Sequence, residues 1–138
     1  MSLQFNSLTP LIQVFDMPRS VGFYRDVLGF EVTDTSAEVE APEGRHFQWA
    51  LLKHGPAAVM LNTAYDVGER PAALAKSVVV AHGDTCLYLG CPDVDAAYDL
   101  LKSKGAAQRP PKVTAYGMKQ LYLRDPDGYA VCLQQAAS

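Results

Sequence analysis

The side chains with the widest chemical reach in this sequence are three cysteines and three histidines. Cys86, Cys91 and Cys132 are odd in number and have no CxxC spacing, so they read as reduced, buried thiols in a cytoplasmic protein. A thiol attacks only as a thiolate, which needs a base or a cation beside it. His46, His54 and His82 fall in loops or at strand edges, and no spacing gathers them. Each is expected to be a solvated surface residue, and none can be placed beside Cys86 or Cys132 as a base. The same lack of spacing argues against an imidazole metal centre.

Composition narrows the partners. Twelve Lys and Arg against fifteen Asp and Glu leave a net charge of −3, with no concentrated basic face for nucleic acid. Hydrophobic residues make up 49% and charged ones 20% of the 138 residues, which suits one folded domain and excludes a disordered chain. No apolar run approaches the roughly 18 residues of a membrane span. The opening MSLQFNSLTP has neither the basic start nor the apolar core of a secretory signal. The expectation is a cytoplasmic protein with neither nucleic acid nor membrane as a partner.

The elements that must position these groups repeat. Leu11 to Phe15 predicts a strand, followed by a helix capped by Asp16 or Ser20, with Val21, Tyr24, Val27 and Leu28 on one face and Gly29 at its end. Phe30 to Thr33, Phe47 to Leu52 and Ala57 to Asn62 predict three strands, the last two joined at Lys53-His54-Gly55-Pro56. Residues 63–83 form a connector, in which Ser77 to Ala81 reads as a strand or a buried stretch. The order then recurs: strand Cys86 to Cys91, a helix opened by Pro92-Asp93-Val94-Asp95 and ended by Gly105, then strands at Val113-Thr114, Lys119 to Leu123 and Tyr129 to Gln134. Asp125-Pro126-Asp127-Gly128 turns the last pair. Asp16 and Asp93 are 77 residues apart (93 − 16), and Gly29 and Gly105 are 76 apart (105 − 29). A βαβββ unit therefore occurs twice, over about 7–62 and 84–135, and predicts an α+β fold.

The doubled unit, with LIQVFDMPRSVGFYRDVLGF near the start and YLRDPDGYAVCL near the end, resembles the vicinal oxygen chelate superfamily. That superfamily includes glyoxalase I, extradiol dioxygenases, fosfomycin-resistance enzymes and bleomycin-resistance proteins. The resemblance runs from about Leu8 to Gln135 and is carried by Asp16, Ser20, Phe23, Tyr24, Leu28 and Gly29. It implies a single glyoxalase-like domain in which two modules form an open, cup-shaped mixed sheet. It also implies four inward positions for His, Glu or Gln ligands. Here they fall on Thr9, Met60 (with Asn62 the next inward candidate), Cys86 and Cys132. No carboxylate or imidazole stands at any of them, so no metal and no other cofactor is expected, and the group most similar is the metal-free bleomycin-resistance-like one.

With no metal, the cup becomes a binding site whose walls follow from strand alternation. Thr9, Leu11 and Gln13 share a face, as do Cys86, Tyr88 and Gly90; Gln120, Tyr122, Cys132 and Gln134 join them from the last two strands. Phe47 and Trp49 add aromatic surface, and Tyr65 and Tyr116 lie on loops near the rim. Phe47, Trp49, Met60, Tyr65, Cys86, Tyr88, Tyr116, Gln120, Tyr122 and Cys132 are thus the expected ligand-binding residues, for a planar or partly aromatic organic molecule. Two alternatives stand beside this reading. One is a metal-dependent lyase or dioxygenase with displaced ligands; the other is a thiol-based enzyme or soft-metal sensor using Cys86 and Cys132. Exposed sheet edges, which relatives cover by pairing subunits, imply a homodimer.

Overall fold

Each half of the chain opens its helix on an aspartate. Asp16 Oδ1 accepts the Arg19 N–H at 3.1 Å, and Asp93 Oδ1 accepts the Ala96 N–H at 3.0 Å, each satisfying an amide that the first helical turn leaves unpaired. Ser20, the other candidate cap, lies buried inside the first helix. The computed structural model describes residues 2–137. It divides the chain between Pro71 and Ala72, within the expected connector, into two compact units.

In the first unit, β1 (Leu11–Val14) leads to α1 (Met17–Gly22), which runs directly into a π-helical turn, Phe23–Val27. Strands β2 (Glu31–Thr35), β3 (Glu38–Val39), β4 (His46–Phe47), β5 (Trp49–His54) and β6 (Ala57–Thr63) follow. Four of them form a mixed sheet in the order β1-β6-β5-β2, with β1 and β6 parallel and the other pairs antiparallel. Ile12, Val14, Ala50, Leu52, Val59 and Leu61 are buried on one face of it, with Met17 and Val21 of α1 also in the core. Leu11, Gln13, Trp49, Leu51, Met60 and Asn62 alternate onto the other.

The second unit holds α2 (Lys76–His82), β7 (Cys86–Gly90), α3 (Val94–Ser103), β8 (Lys112–Val113), β9 (Met118–Arg124) and β10 (Ala130–Ala136). Its sheet has the same plan in the order β7-β10-β9-β8, again with the first and last long strands parallel. Val94 and Leu101 of α3 are buried, as are Leu121, Leu123, Val131 and Leu133 of the sheet. The fold is α+β, with open mixed sheets and three helices among the described residues, the π turn counted with the first. None of those helices is long and apolar enough to cross a membrane.

The one-residue mismatch between the repeats has a structural cause. Gly29 follows Asp16 by 13 residues (29 − 16), whereas Gly105 follows Asp93 by 12 (105 − 93). Both glycines take left-handed backbone, φ 82° and 73°, and end their helices. The extra residue of the first helix is taken up as the π turn, the usual way a helix absorbs an insertion without losing its direction.

Three expectations are corrected. Ser77 to Ala81 belongs to the helix α2, although its valines favour a strand by propensity. The helix is held by tertiary contacts: His82 Nδ1 donates to the Asp127 carbonyl at 2.7 Å, and its ring stacks on Tyr129 at 4.0 Å. The strand expected over Phe47 to Leu52 breaks at Gln48, because Ser36 Oγ accepts the N–H groups of Gln48 and Trp49 at 3.1 and 3.0 Å. Phe47 consequently lies in a separate two-stranded ribbon with β3, not in the sheet that carries Trp49. Finally, His46 is buried rather than solvated. Its Nε2 meets Glu43 Oε2 at 3.2 Å, and Arg70 approaches the same carboxylate at 3.6 Å, which compensates the burial.

Candidate functional site

The open face of the second unit's sheet is built in rows. Register places Cys86 beside Ala130 and Arg124, Tyr88 beside Cys132 and Tyr122, and Gly90 beside Gln134, Gln120 and Lys112. In the middle row Cys132 is wholly buried, while Tyr88 and Tyr122 on either side are 51% and 53% exposed. Their hydroxyls meet at 3.0 Å, so two phenols join across the strand that carries the thiol. The next row is an amide network. Gln120 Nε2 donates to Gln134 Oε1 at 3.1 Å and to the Tyr116 hydroxyl at 3.3 Å. Tyr116 itself is largely exposed on the loop before β9.

This arrangement sets the proton chemistry. The hydrogen bond to Tyr88 pushes the Tyr122 hydroxyl well above the ordinary phenol value, with burial adding to it. Burial pushes the Cys86 and Cys132 thiols up as well, and hydrogen bonding to Tyr122 only partly opposes this at Cys132. Both thiols are therefore neutral near pH 7, hold no disulfide, and are poor nucleophiles. The remaining histidine of this unit, His82, is occupied by Asp127 and Tyr129.

In the first unit the open face is plainer. Leu11, Met60 and Leu51 form one row, and Gln13, Asn62 and Trp49 the next, with the side-chain amides of Gln13 and Asn62 in contact at 3.3 Å. Thr9 is half-buried just ahead of β1, and the carbonyl of the following Pro10 accepts the Met60 N–H at 2.8 Å. Tyr65, 42% exposed, meets the edge of Phe15 at 6.3 Å and lies on a loop as expected. The structure thus brings Thr9 near Met60 in one unit, and places Cys86 and Cys132 two positions apart on one face in the other. Of the binding residues expected on strands, Phe47 falls outside both four-stranded sheets; Tyr65 and Tyr116 lie on loops.

A family model described as Glyoxalase/Bleomycin resistance protein/Dioxygenase superfamily matches residues 4–133. The chain belongs to this superfamily. Among solved structures, a glyoxalase/bleomycin resistance protein from Streptomyces sp. CB03234 is 26% identical, with a TM-score of 0.63 over 94% of this chain and 100% of that one. TnmS3, an antibiotic binding protein from the same organism, is 25% identical, with a TM-score of 0.66 over 99% of each chain. The bleomycin-binding protein of Streptomyces verticillus, solved with copper(II)-bleomycin, shares the fold at 18% identity and a TM-score of 0.66, over 99% of each chain. A search of the curated proteins finds no match.

Superfamily members that use a metal hold it with oxygen and nitrogen donors, and the four positions that the resemblance implies, Thr9, Met60, Cys86 and Cys132, do not supply such a set. A hydroxyl, a thioether and two neutral thiols are weak ligands for a hard divalent cation. Among the described residues, no three His, Cys, Asp or Glu side chains gather as a metal-binding group. Strand alternation gives no hint of Arg109 and Lys112, which line the cavity beside Tyr122. The available signal was two cations flanking the stiff Pro110-Pro111 pair.

Proposed function

We propose that this superfamily member is a small-molecule binding protein of the bleomycin-resistance type. It holds an organic ligand without a metal of its own, and acts in the cytoplasm as a homodimer. The observation that carries the reading is the row Tyr88–Cys132–Tyr122. Where metal-dependent relatives need ligands, this chain has a buried neutral thiol flanked by two exposed, hydroxyl-linked aromatic rings. Such a surface offers flat apolar contact with fixed polar points, the usual make-up of a ligand site. Trp49, Leu51 and Met60 offer a second apolar surface in the first unit. The likeness to an antibiotic binding protein at 25% identity supports the same class of ligand.

Three measurements test the proposal. A thermal-shift screen of planar organic compounds should find ligands that raise the melting temperature, since saturation at 100 times the dissociation constant stabilises by about 2.7 kcal/mol. Substituting Tyr122→Ala should weaken that shift without loss of fold. Elemental analysis of the purified protein should find no stoichiometric Ni, Mn, Fe or Zn, and such a metal would overturn the metal-free reading. Sedimentation should give a particle of twice the 15.0 kDa chain mass; a monomer at micromolar concentration would remove the dimer.

A further inference from the structure

Two cavities lie along the outer edge of β9 and share a wall. One, of about 380 Å³, is lined by Arg109, Lys112 and Tyr122 with Pro110, Val113 and Gln120. The other, of about 590 Å³, also touches Arg109 and Tyr122 and adds Arg124. They exist because β8 pairs with β9 only at Lys119 and Gln120, leaving the edge beyond Gln120 without a strand. Neither cavity is lined by a carboxylate. Among the described residues, Arg109, Lys112 and Arg124 make no ion pair. Arg124 Nη1 donates to the Gly128 carbonyl at 3.2 Å, so in a chain of net charge −3 it is Arg109 and Lys112 that form a local concentration of unpaired positive charge beside one half-exposed tyrosine ring.

The groups around that ring complement one another. Pro110 and Pro111 restrict the backbone between Arg109 and Lys112, so little backbone freedom there is lost on binding, while the two exposed side chains remain free to reach the ligand. The Gln120 amide nitrogen is committed to Gln134 and Tyr116, which leaves its carbonyl oxygen as the acceptor. A guanidinium pairs with an oxyanion through two parallel hydrogen bonds, an ammonium adds a point charge, and a phenol ring provides a stacking face. We infer that the cavity beside Tyr122 recognises a planar aromatic oxyanion, with Arg109 and Lys112 on the charged group and Tyr122 against the ring. The inference rests on the small-molecule reading above and gives it a ligand class.

The test uses two fluorescent probes, anilinonaphthalene sulfonate and its uncharged parent, phenylnaphthylamine. The intact protein should bind the sulfonate at least about tenfold more tightly, the range of one charge-assisted hydrogen bond. The margin should shrink as salt is raised. The double variant Arg109→Gln, Lys112→Gln should lose the preference yet keep its affinity for the amine, and Arg109→Lys with Lys112→Arg should retain most of it. Circular dichroism melts matching the parent protein establish that the variants are folded. Equal binding of both probes by the parent protein, or a preference that survives the double Gln variant, overturns the inference and leaves the small-molecule reading standing. Failure of that reading would show instead as no binding of either probe.

Discussion

The two units share a backbone plan and differ on the face that the helices leave open. In the first, the open face is a row of Leu11, Met60 and Leu51 beside one of Gln13, Asn62 and Trp49. In the second, the corresponding surface carries linked tyrosines, a buried thiol, a glutamine pair and nearby cations. The buried faces stayed alike, as Ile12, Val14, Leu52 and Leu61 match Val131, Leu133, Leu121 and Leu123 in character. Helix burial and the two aspartate caps constrain one side of each sheet; the other side is free to acquire chemistry. The comparison teaches that duplication conserved the scaffold and specialised one copy.

The sharpest way to test that asymmetry is through two hairpin glycines. Gly55 and Gly128 both have positive φ, 55° and 90°. A Cβ at Gly55 meets nothing within 4 Å, whereas one at Gly128 would stand 2.5 Å from the Val79 carbonyl oxygen. Gly128→Ala should therefore cost roughly 3 kcal/mol in urea unfolding, and Gly55→Ala only the left-handed backbone penalty of about 1 kcal/mol. Equal losses would mean that α2 does not brace the second hairpin.

The caps give a smaller effect. Asp16→Ala and Asp93→Ala should each destabilise by about 1 kcal/mol. Asp16 should cost slightly more, because Arg70 also approaches it at 3.7 Å. A clear excess at Asp93 would reverse the ranking of the two helices.

The tyrosine bridge should give the smallest change in stability, because both rings are half exposed. Tyr88→Phe should lower stability at pH 7 by under about 1 kcal/mol. Its clearer signature is spectroscopic. Tyr122 binds its proton more tightly when folded than the ordinary value of 10.0. Its contribution is therefore complete below pH 10 and is lost as pH rises through the raised value. Titration of phenolate absorbance should show one late-ionising tyrosine in the parent protein and an earlier one in Tyr88→Phe. An unchanged titration would dissociate the shift from the bridge.

Much of this molecule was legible in its residues. The aspartate caps, the helix-ending glycines and the long strands carry local signals that tertiary structure did not override. The break at Gln48 was not legible, because it depends on the Ser36 hydroxyl, 12 residues away along the chain. The helix at Val78 to Val80 was hidden by residues that favour strands; its direction comes from His82 meeting Asp127, 45 residues on. Burial of His46 was partly readable, since Glu43 stands three positions before it. Alternation correctly put Tyr88, Tyr122 and Cys132 on one face, but their hydroxyl contact depends on side-chain reach rather than spacing.

The π turn has a consequence for how this gene product tolerates changes in length. A regular helix advances about 1.5 Å for every added residue and rotates everything beyond it by about 100°. By widening one turn, the segment Phe23–Val27 keeps Phe30 and the strand behind it in phase despite the longer helix. The turn is thus a slack loop in an otherwise rigid rod, a place where codons can be lost or gained without shifting the reading of the sheet. Variation in length among descendants of the first repeat should collect there, ahead of any drift in the strands themselves.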